Sequence, residues 1–163
     1  MKSGACSICG KRLLRFWGSL DSNVAVLSDA PGFEDIKNGV LYSGAYGEAL
    51  KMELGKVGIQ ASGIRMLTMW KHGVDRECDV DWHATTTLED LKGVKLVLML
   101  GTECLSAYTG YTASEISGTI VKSKMLPKVI VVAGPSISTL GKTPIGELRL
   151  AINKFAEQRR KIK

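Results

Sequence analysis

The stretch "VAVLSDAPGFEDIKNGVLYSGAYGEALKMEL", residues 24–54, decides the fold of this chain. It begins with an aliphatic run at residues 24–27, which predicts a buried strand, and breaks at Asp29-Ala30-Pro31-Gly32. After further glycines it enters a helical pattern from about Gly44 to Val57, which Gly58 ends. A strand, a loop rich in acids and glycines, and a helix are therefore predicted in that order.

Three further apolar runs, at residues 64–69, 94–100 and 128–132, predict three more strands. Helices are predicted between and after them, from the threonines at 85–87 to Lys92, over residues 103–108, and from Pro144 onward. Because strands and helices alternate, we expect an α/β fold: a three-layer α/β/α arrangement around a central four-stranded, mainly parallel sheet. Residues 1–163 are expected to form a single domain.

The chain is moderately basic, with 22 Lys and Arg against 16 Asp and Glu and a net charge of +6. Such a charge attracts polyanions, although many basic proteins bind no nucleic acid. The basic tail at residues 157–163 is interpreted as a solvated helix end in preference to a nucleic-acid contact. No secretory signal or membrane span is visible, so we expect a cytoplasmic protein without a membrane partner.

The four cysteines are expected to be reduced in that compartment, which leaves metal ligation or burial to explain them. Cys6 and Cys9 form a C-x2-C pair in an N-terminal knuckle at residues 1–20, and Cys78 lies far downstream. One such pair alone does not decide between the two explanations. For Cys104, at a predicted helix start, burial is favoured.

The chemistry is expected in the loops that follow the four strands, because ligands of open α/β sheets bind at the carboxyl ends of strands. These loops carry carboxylates, aromatic rings and a Pro-Ser turn, which together suit a polar pocket. The sequence shows no nucleophile–base triad and no Gly-rich phosphate loop with its lysine, so an ATPase is not favoured.

The motifs resemble the uracil-DNA glycosylase superfamily, in particular its iron–sulfur branch, family 4, and phage members related to a phage DNA polymerase. The N-terminal C-x2-C pair, Ser28-Asp29-Ala30-Pro31-Gly32 with the acids that follow it, and the segment at residues 39–47 carry the resemblance. The stretches "LVLMLGTECLSAYTG" and "VIVVAGPSISTL" are similar to the third and fourth strands of that family with their loops. The resemblance covers roughly residues 6 to 158.

The resemblance implies that a base flipped out of DNA is held while its glycosidic bond breaks. Tyr42 stands where the family has a stacking ring, and the implied catalytic acids are Asp29, Glu34 and Asp35. These acids have an alternative role as exposed loop acids or helix caps. The other implied substrate-binding residues are Ala30, Pro31, Gly32, Thr68 and Gly134.

Two departures from the family put catalysis in question. Thr68 takes the place of an Asn that reads the uracil edge, and Gly134 takes the place of a His that supports the leaving base. The resemblance as a whole implies a DNA glycosylase that acts on uracil or another modified base. The alternative is a catalytically inactive DNA-binding or replication accessory protein that reuses the fold.

The resemblance also implies a metal centre and contacts with DNA. Cys6, Cys9, His72 and Cys78 would hold a [4Fe–4S] cluster or, as the alternative, a zinc ion, and His83 or Cys104 can replace His72 as the fourth ligand. The expected partners are single- or double-stranded DNA and a DNA polymerase or other replication proteins, in a bacterium or a phage-infected cell. The implied DNA-binding residues are Gly44, Ser136, Leu140 and Lys142, with a cap on the core as the alternative role of Leu140.

Overall fold

A mixed sheet of six strands forms the centre of the protein in a computed structural model that describes residues 4–139 and 145–162. The strands are β1 (Trp17–Gly18), β2 (Val24–Ser28), β3 (Arg65–Thr68), β4 (Leu96–Leu100), β5 (Ile120–Val121) and β6 (Ile130–Gly134). They lie in the order β1-β3-β2-β4-β6-β5, with the four inner strands paired in parallel and the two edge strands antiparallel. The α/β class is confirmed, but the sheet has six strands where four were predicted. The two additional strands are each two residues long, too short to leave a pattern in the sequence.

The helices are α1 (Phe33–Asn38), α2 (Ala45–Lys56), α3 (Val80–Asp90), α4 (Thr102–Thr109), α5 (Ala113–Ile116) and α6 (Ile145–Lys161). The prediction of α2 is confirmed. The predicted start of α3 at the threonines was wrong, because the Asp79 side chain accepts hydrogen bonds from the amides of Asp81 and Trp82 and caps the helix before them. Pro144 lies outside the described residues.

Successive residues of the inner strands enter two hydrophobic clusters on opposite faces of the sheet. Val24 and Val26 pack into a cluster with residues of α2 and α6, whereas Ala25 and Leu27 pack into one with residues of α3 and α4. The inner strands are therefore covered on both faces, which explains why their sequences are almost continuously apolar. Among the described helices, none has both the length and the apolar character that crossing a membrane requires.

The strand register places the loops that were predicted to form the site at one edge of the sheet. Ser28, the last residue of β2, pairs with Thr68 of β3 and with Leu100 of β4. Leu100 in turn pairs with Gly134, the last residue of β6. Since the parallel strands end level with one another, the segments that follow them meet in space.

Glu53 joins α2 to α6, and its removal is the first testable prediction. Its buried carboxylate accepts two hydrogen bonds from Arg149 (3.0 and 3.2 Å) and one from Lys56 (2.8 Å), which lower the pKa of Glu53 to about 2. We expect Glu53→Gln to lower the free energy of unfolding by about 1–3 kcal/mol at pH 7. Because the folded pKa lies below the ordinary value of 4.5, this contribution is complete above pH 4.5 and is lost as the pH falls toward 2.

Urea denaturation at several pH values measures the effect. The matched control is Glu157→Gln, which removes an exposed ion-pair partner on α6 and should change stability by less than about 0.5 kcal/mol. A Glu53→Gln deficit that persists undiminished at pH 2 would contradict the ionic origin.

Candidate functional site: a cavity and a metal-ligand group

A cavity of about 450 Å³ lies at the carboxyl ends of β2 and β6. Its volume lies within the range of about 300–1,000 Å³ that is usual for small-molecule sites. The lining comes from the loop after β2, the start of α2 and the segment after β6: Ser28, Ala30, Gly32, Phe33, Glu34, Asp35, Tyr42, Gly44, Ala45, Tyr46, Gly47, Ile137 and Ser138. A larger cavity of about 980 Å³ lies beside β5 and contains none of the described residues predicted for the site.

Asp35 organises the wall of this cavity. Its buried carboxylate accepts hydrogen bonds from the backbone amides of Gly32 (3.3 Å), Tyr42 (3.1 Å), Ser43 (3.1 Å) and Gly44 (3.0 Å). These bonds hold Tyr42 at a φ of 57°, an uncommon value for a residue with a side chain. The carboxylate is thus surrounded by donors that fix the loop.

Glu34 and Asp29 each cap a neighbouring helix. Glu34 Oε2 accepts the amide of Ala45 (2.9 Å), the first residue of α2, while its Oε1 makes no hydrogen bond within the described residues. Asp29 Oδ1 accepts the amide of Cys104 (2.8 Å) in the first turn of α4. Burial raises the pKa of Asp29 above its ordinary value, against the lowering effect of that amide. Helix capping, the alternative considered for these acids, is therefore what their hydrogen bonds show.

Three predicted substrate-binding residues are occupied by internal contacts. Tyr42 is only 1 % exposed, and its hydroxyl lies 2.8 Å from Ser28 Oγ and donates to the carbonyl of Leu67 (2.6 Å). The Thr68 hydroxyl donates to the carbonyl of Trp70 (2.6 Å), and Gly134 packs against Leu100 and Ala151, where a Cβ would clash.

The cavity contains some, but not all, of the described residues predicted for it. Ala30, Gly32, Glu34, Asp35, Tyr42 and Gly44 line it, whereas Asp29, Pro31, Thr68 and Gly134 do not. Ser136 lies just before the lining residues of the last loop, and its hydroxyl is 2.7 Å from that of Ser138. Leu140 and Lys142 lie outside the described residues. The roles assigned to all these residues stay predictions.

Two exposed aromatic residues at the cavity were missed by the sequence reasoning. Phe33 is 82 % exposed and Tyr46 is 48 % exposed, and both line the cavity. Solvent-exposed aromatic rings beside a cavity are available to stack on a planar ligand. Phe33 follows the Pro31-Gly32 turn directly. This position after the turn is the one feature of the sequence that could have indicated its exposure.

A second site is formed by Cys6, Cys9, His72 and Cys78, which we call the metal group. One ligand atom from each residue lies within 4.8 Å of those from the others, so the group can bind a metal ion such as zinc or iron. Cys6 Sγ lies 3.7 Å from Cys78 Sγ, and Cys9 Sγ lies 3.2 Å from His72 Nε2. The predicted ligand set is therefore brought together from segments more than 60 residues apart in the chain.

The N-terminal knuckle that carries Cys6 and Cys9 is a tight hairpin. The amide of Cys6 donates to the carbonyl of Lys11 (2.8 Å), and the amide of Gly10 donates to the carbonyl of Cys6 (2.8 Å). Burial raises the pKa of Cys6, but hydrogen bonds from the backbone amides of Cys9 and Ile8 and from the side chains of His72 and Cys78 together lower it to about 7. Burial and the neighbouring Cys9 and Cys6 raise the pKa of Cys78 to about 11. The raised pKa means that Cys78 resists losing its proton to form a thiolate. A cation bound by the metal group would favour the thiolate.

The two alternative ligands lie in different surroundings. His83 is fully buried beside the metal group, with Nε2 at 3.5 Å from Cys78 Sγ and 3.1 Å from His72 Nε2. Cys104 is buried at the start of α4, where its thiol donates to the carbonyl of Gly101 (3.3 Å). Its predicted burial is confirmed. Cys104 is not a member of the metal group.

A buried ion network supports the segment that carries His72. Lys71 is fully buried, and its Nζ donates to the carbonyl of Thr68 (2.7 Å) and lies 3.0 Å from Asp90 Oδ2. Burial lowers the pKa of Lys71 to about 8, although Asp90 opposes the shift. Arg15, in the N-terminal knuckle, donates to the other oxygen of Asp90 (2.9 Å). The turn after β3 is therefore fixed to α3 and to the N-terminal segment.

No protein-family model matches the chain, and no curated protein matches it. The resemblance to the uracil-DNA glycosylase superfamily therefore rests on the motifs of the chain itself.

The contacts of Asp35 give the second prediction. Asp35→Ala leaves four backbone amides without their acceptor, and we expect it to lower the free energy of unfolding by about 2–4 kcal/mol. Asp21→Ala, at an exposed turn position, is the matched control and should change it by about 0.5 kcal/mol or less. Urea denaturation measures both, and equal stability of the two variants would show that the carboxylate does not organise the loop.

Proposed function

We propose that the chain is a uracil-DNA glycosylase-like protein, with the three-layer α/β/α arrangement of that superfamily. It binds DNA, accepts uracil or another modified base flipped from the helix, and hydrolyses the N-glycosidic bond. The observation that carries the proposal is the cavity of about 450 Å³ between the loops after β2 and β6. These are the loops whose motifs resemble the superfamily, and the volume suits a base with part of its sugar.

Glu34 is the acid best placed to act on the sugar. It lines the cavity and is exposed, and one of its two oxygens caps α2 while Oε1 remains available within the described residues. Such a carboxylate can orient a water molecule or stabilise the positive charge that develops on the sugar as the bond breaks. Asp35 has its oxygens engaged by four amides, and Asp29 lies outside the cavity lining. We therefore assign the reacting role to Glu34 and a positioning role to Asp35.

In this proposal, the rings of Phe33 and Tyr46 hold the base by stacking on it. Tyr42, although it borders the cavity, is 1 % exposed, whereas the other two rings present open faces. Stacking on an aromatic ring works for any base, because every base has a flat face. It therefore agrees with the absence of the Asn that reads the uracil edge in the family. The net charge of +6 favours DNA as the polyanionic partner. Replication proteins, including a DNA polymerase, are the further partners that the phage resemblance suggests.

A second candidate function is that of a non-catalytic DNA-binding or replication accessory protein. The capping bonds of Asp29 and Asp35 and the hydrogen bond from Thr68 to Trp70 favour it, because these groups are committed to the fold. In that case the cavity would hold a base while its N-glycosidic bond stayed intact.

Cleavage of uracil DNA separates the two functions and gives the third prediction. Purified protein is incubated with single- and double-stranded uracil DNA and then with alkali, which breaks the chain at abasic sites. Strand breaks are expected from the unaltered protein, and Glu34→Gln should reduce their rate by about 100-fold or more. The glutamine keeps an oxygen for the Ala45 amide, so the capped helix is preserved.

Glu48→Gln is the matched control, since Glu48 is an exposed acid in the first turn of the same helix. This variant should cleave at the unaltered rate. DNA binding without breaks by the unaltered protein, on every base tested, would favour the accessory function and contradict the glycosylase.

Stacking gives the fourth prediction. Phe33→Ala and Tyr46→Ala should each weaken binding to single-stranded DNA by about 1–3 kcal/mol, roughly 5- to 150-fold. Fluorescence anisotropy of labelled oligonucleotides measures the affinity. Tyr111→Ala, which removes an aromatic ring that is 51 % exposed and away from this cavity, should leave it unchanged. Equal losses in all three variants would show that the cavity does not provide the stacking surface.

A further inference from the structure

We propose that the metal group binds a single zinc(II) ion, held tetrahedrally by its three cysteines and its one histidine, and that His83 supports this site from outside as a hydrogen-bond donor to Cys78. The inference departs from the iron–sulfur cluster that the family resemblance implies. It does not depend on the proposed action on DNA.

The spacing of the ligand atoms fits one ion. A tetrahedral zinc with Zn–S bonds of about 2.3 Å places two sulfurs about 3.8 Å apart and a sulfur and a nitrogen about 3.5 Å apart. The observed separations are 3.7 Å between Cys6 and Cys78 and 3.2 Å between Cys9 and His72. No pair of the four ligand atoms is separated by more than 4.8 Å.

The same spacing does not fit a four-iron cluster. In such a cluster each protein ligand binds a different iron, so the four ligand atoms are separated by the whole width of the inorganic core. Ligand atoms that all lie within 4.8 Å of one another leave no room for it. The residues present therefore match the donor set and the size of a structural zinc site.

The hydrogen bonds of His72 leave its inner nitrogen ready to bind a metal. His72 Nδ1 lies 2.7 Å from the carbonyl oxygen of Gly73. A carbonyl can only accept, so Nδ1 carries the proton and Nε2 of the neutral ring has a free lone pair. That nitrogen faces Cys9, and an outer bond of this kind is the usual way in which a ligating histidine is oriented.

The hydrogen bonds of His83 have the opposite polarity. The backbone amide of Lys71 donates to His83 Nδ1 (3.0 Å), so Nδ1 carries no proton and Nε2 of the neutral ring does. A protonated nitrogen cannot ligate a metal, which excludes His83 as a ligand while this bond persists. Its Nε2–H can donate to His72 Nε2 (3.1 Å) or to Cys78 Sγ (3.5 Å).

Metal binding decides between these two acceptors. Once the lone pair of His72 is on the ion, the Cys78 thiolate is the remaining acceptor for the His83 proton. Two tryptophan rings hold His83 in this orientation, with centroid distances of 4.7 Å to Trp70 and 4.9 Å to Trp82. His83 is therefore a positioning residue that stabilises the charge of one thiolate.

Metal analysis of the purified full chain tests the ion. We expect about one zinc per chain and no acid-labile sulfide, with a colourless protein. Replacement of zinc by cobalt(II) should give thiolate-to-cobalt charge-transfer bands and the intense visible bands of a four-coordinate ion. Stoichiometric iron with sulfide, or the weak spectrum of a six-coordinate cobalt, would overturn the proposal.

A matched pair of variants tests the two histidines. His72→Phe removes a ligand and should abolish the four-coordinate cobalt spectrum, whereas His83→Phe should retain that spectrum and weaken cobalt affinity by about 10- to 100-fold. The reverse pattern would overturn the assignment of His72 as the ligand. His72→Cys provides a second readout should the phenylalanine variants fail to fold, because it retains four ligands and should shift the cobalt bands toward those of a site with four thiolates. Unshifted bands in that variant would also overturn the proposal.

Discussion

Parallel pairing of the four inner strands is the constraint on which the rest of the structure depends. A parallel pair requires a crossover, and residues of the crossover helices α2, α3 and α4 pack against the inner strands, so β2 and β4 are buried along their whole length. The same pairing brings the carboxyl ends of β2, β3 and β6 to one edge. The cavity follows β2 and β6, and two ligands of the metal group follow β3. Both sites are thus consequences of one topology.

The acids at this edge show how a polar loop is made compatible with a packed sheet. Each helix that begins here exposes amides without partners, and the loop after β2 supplies the acceptors. Asp29 serves α4, Glu34 serves α2, and Asp35 fixes the turn between α1 and α2. Gly101, at a φ of 121°, lets Asp29 approach, since a Cβ there would lie 2.4 Å from its carboxylate. Capping thus engages carboxylates to which the proposed function also assigns a role. Among these three acids, only Glu34 both lines the cavity and keeps one oxygen without a hydrogen bond within the described residues.

The parts predictable from the sequence are those that a local pattern determines. The inner strands and α2 follow from apolar runs and periodicity, but the two-residue edge strands have no period to detect. The start of α3 was assigned to threonines although Asp79 was the stronger cap; Thr87 instead donates to the carbonyl of His83 (2.9 Å) inside the helix. Burial of Tyr42 and exposure of Phe33 depend on tertiary packing. The choice between two histidine ligands depends on backbone hydrogen bonds that no sequence pattern records.

The metal group and the cavity are joined through α1. Arg12 of the knuckle lies against the end of this helix, since a Cβ at Gly39 would be 2.8 Å from Arg12 Nη1. On the other side, a Cβ at Gly73, next to the ligand His72, would be 2.8 Å from Ile36 Cδ1. A metal ion bound by both the knuckle and His72 would close a long loop of the chain. It would thereby fix the two segments that contact α1, which are the one around Arg12 and the one around Gly73. Because α1 carries Phe33, Glu34 and Asp35, an ion bound there would position one wall of the cavity.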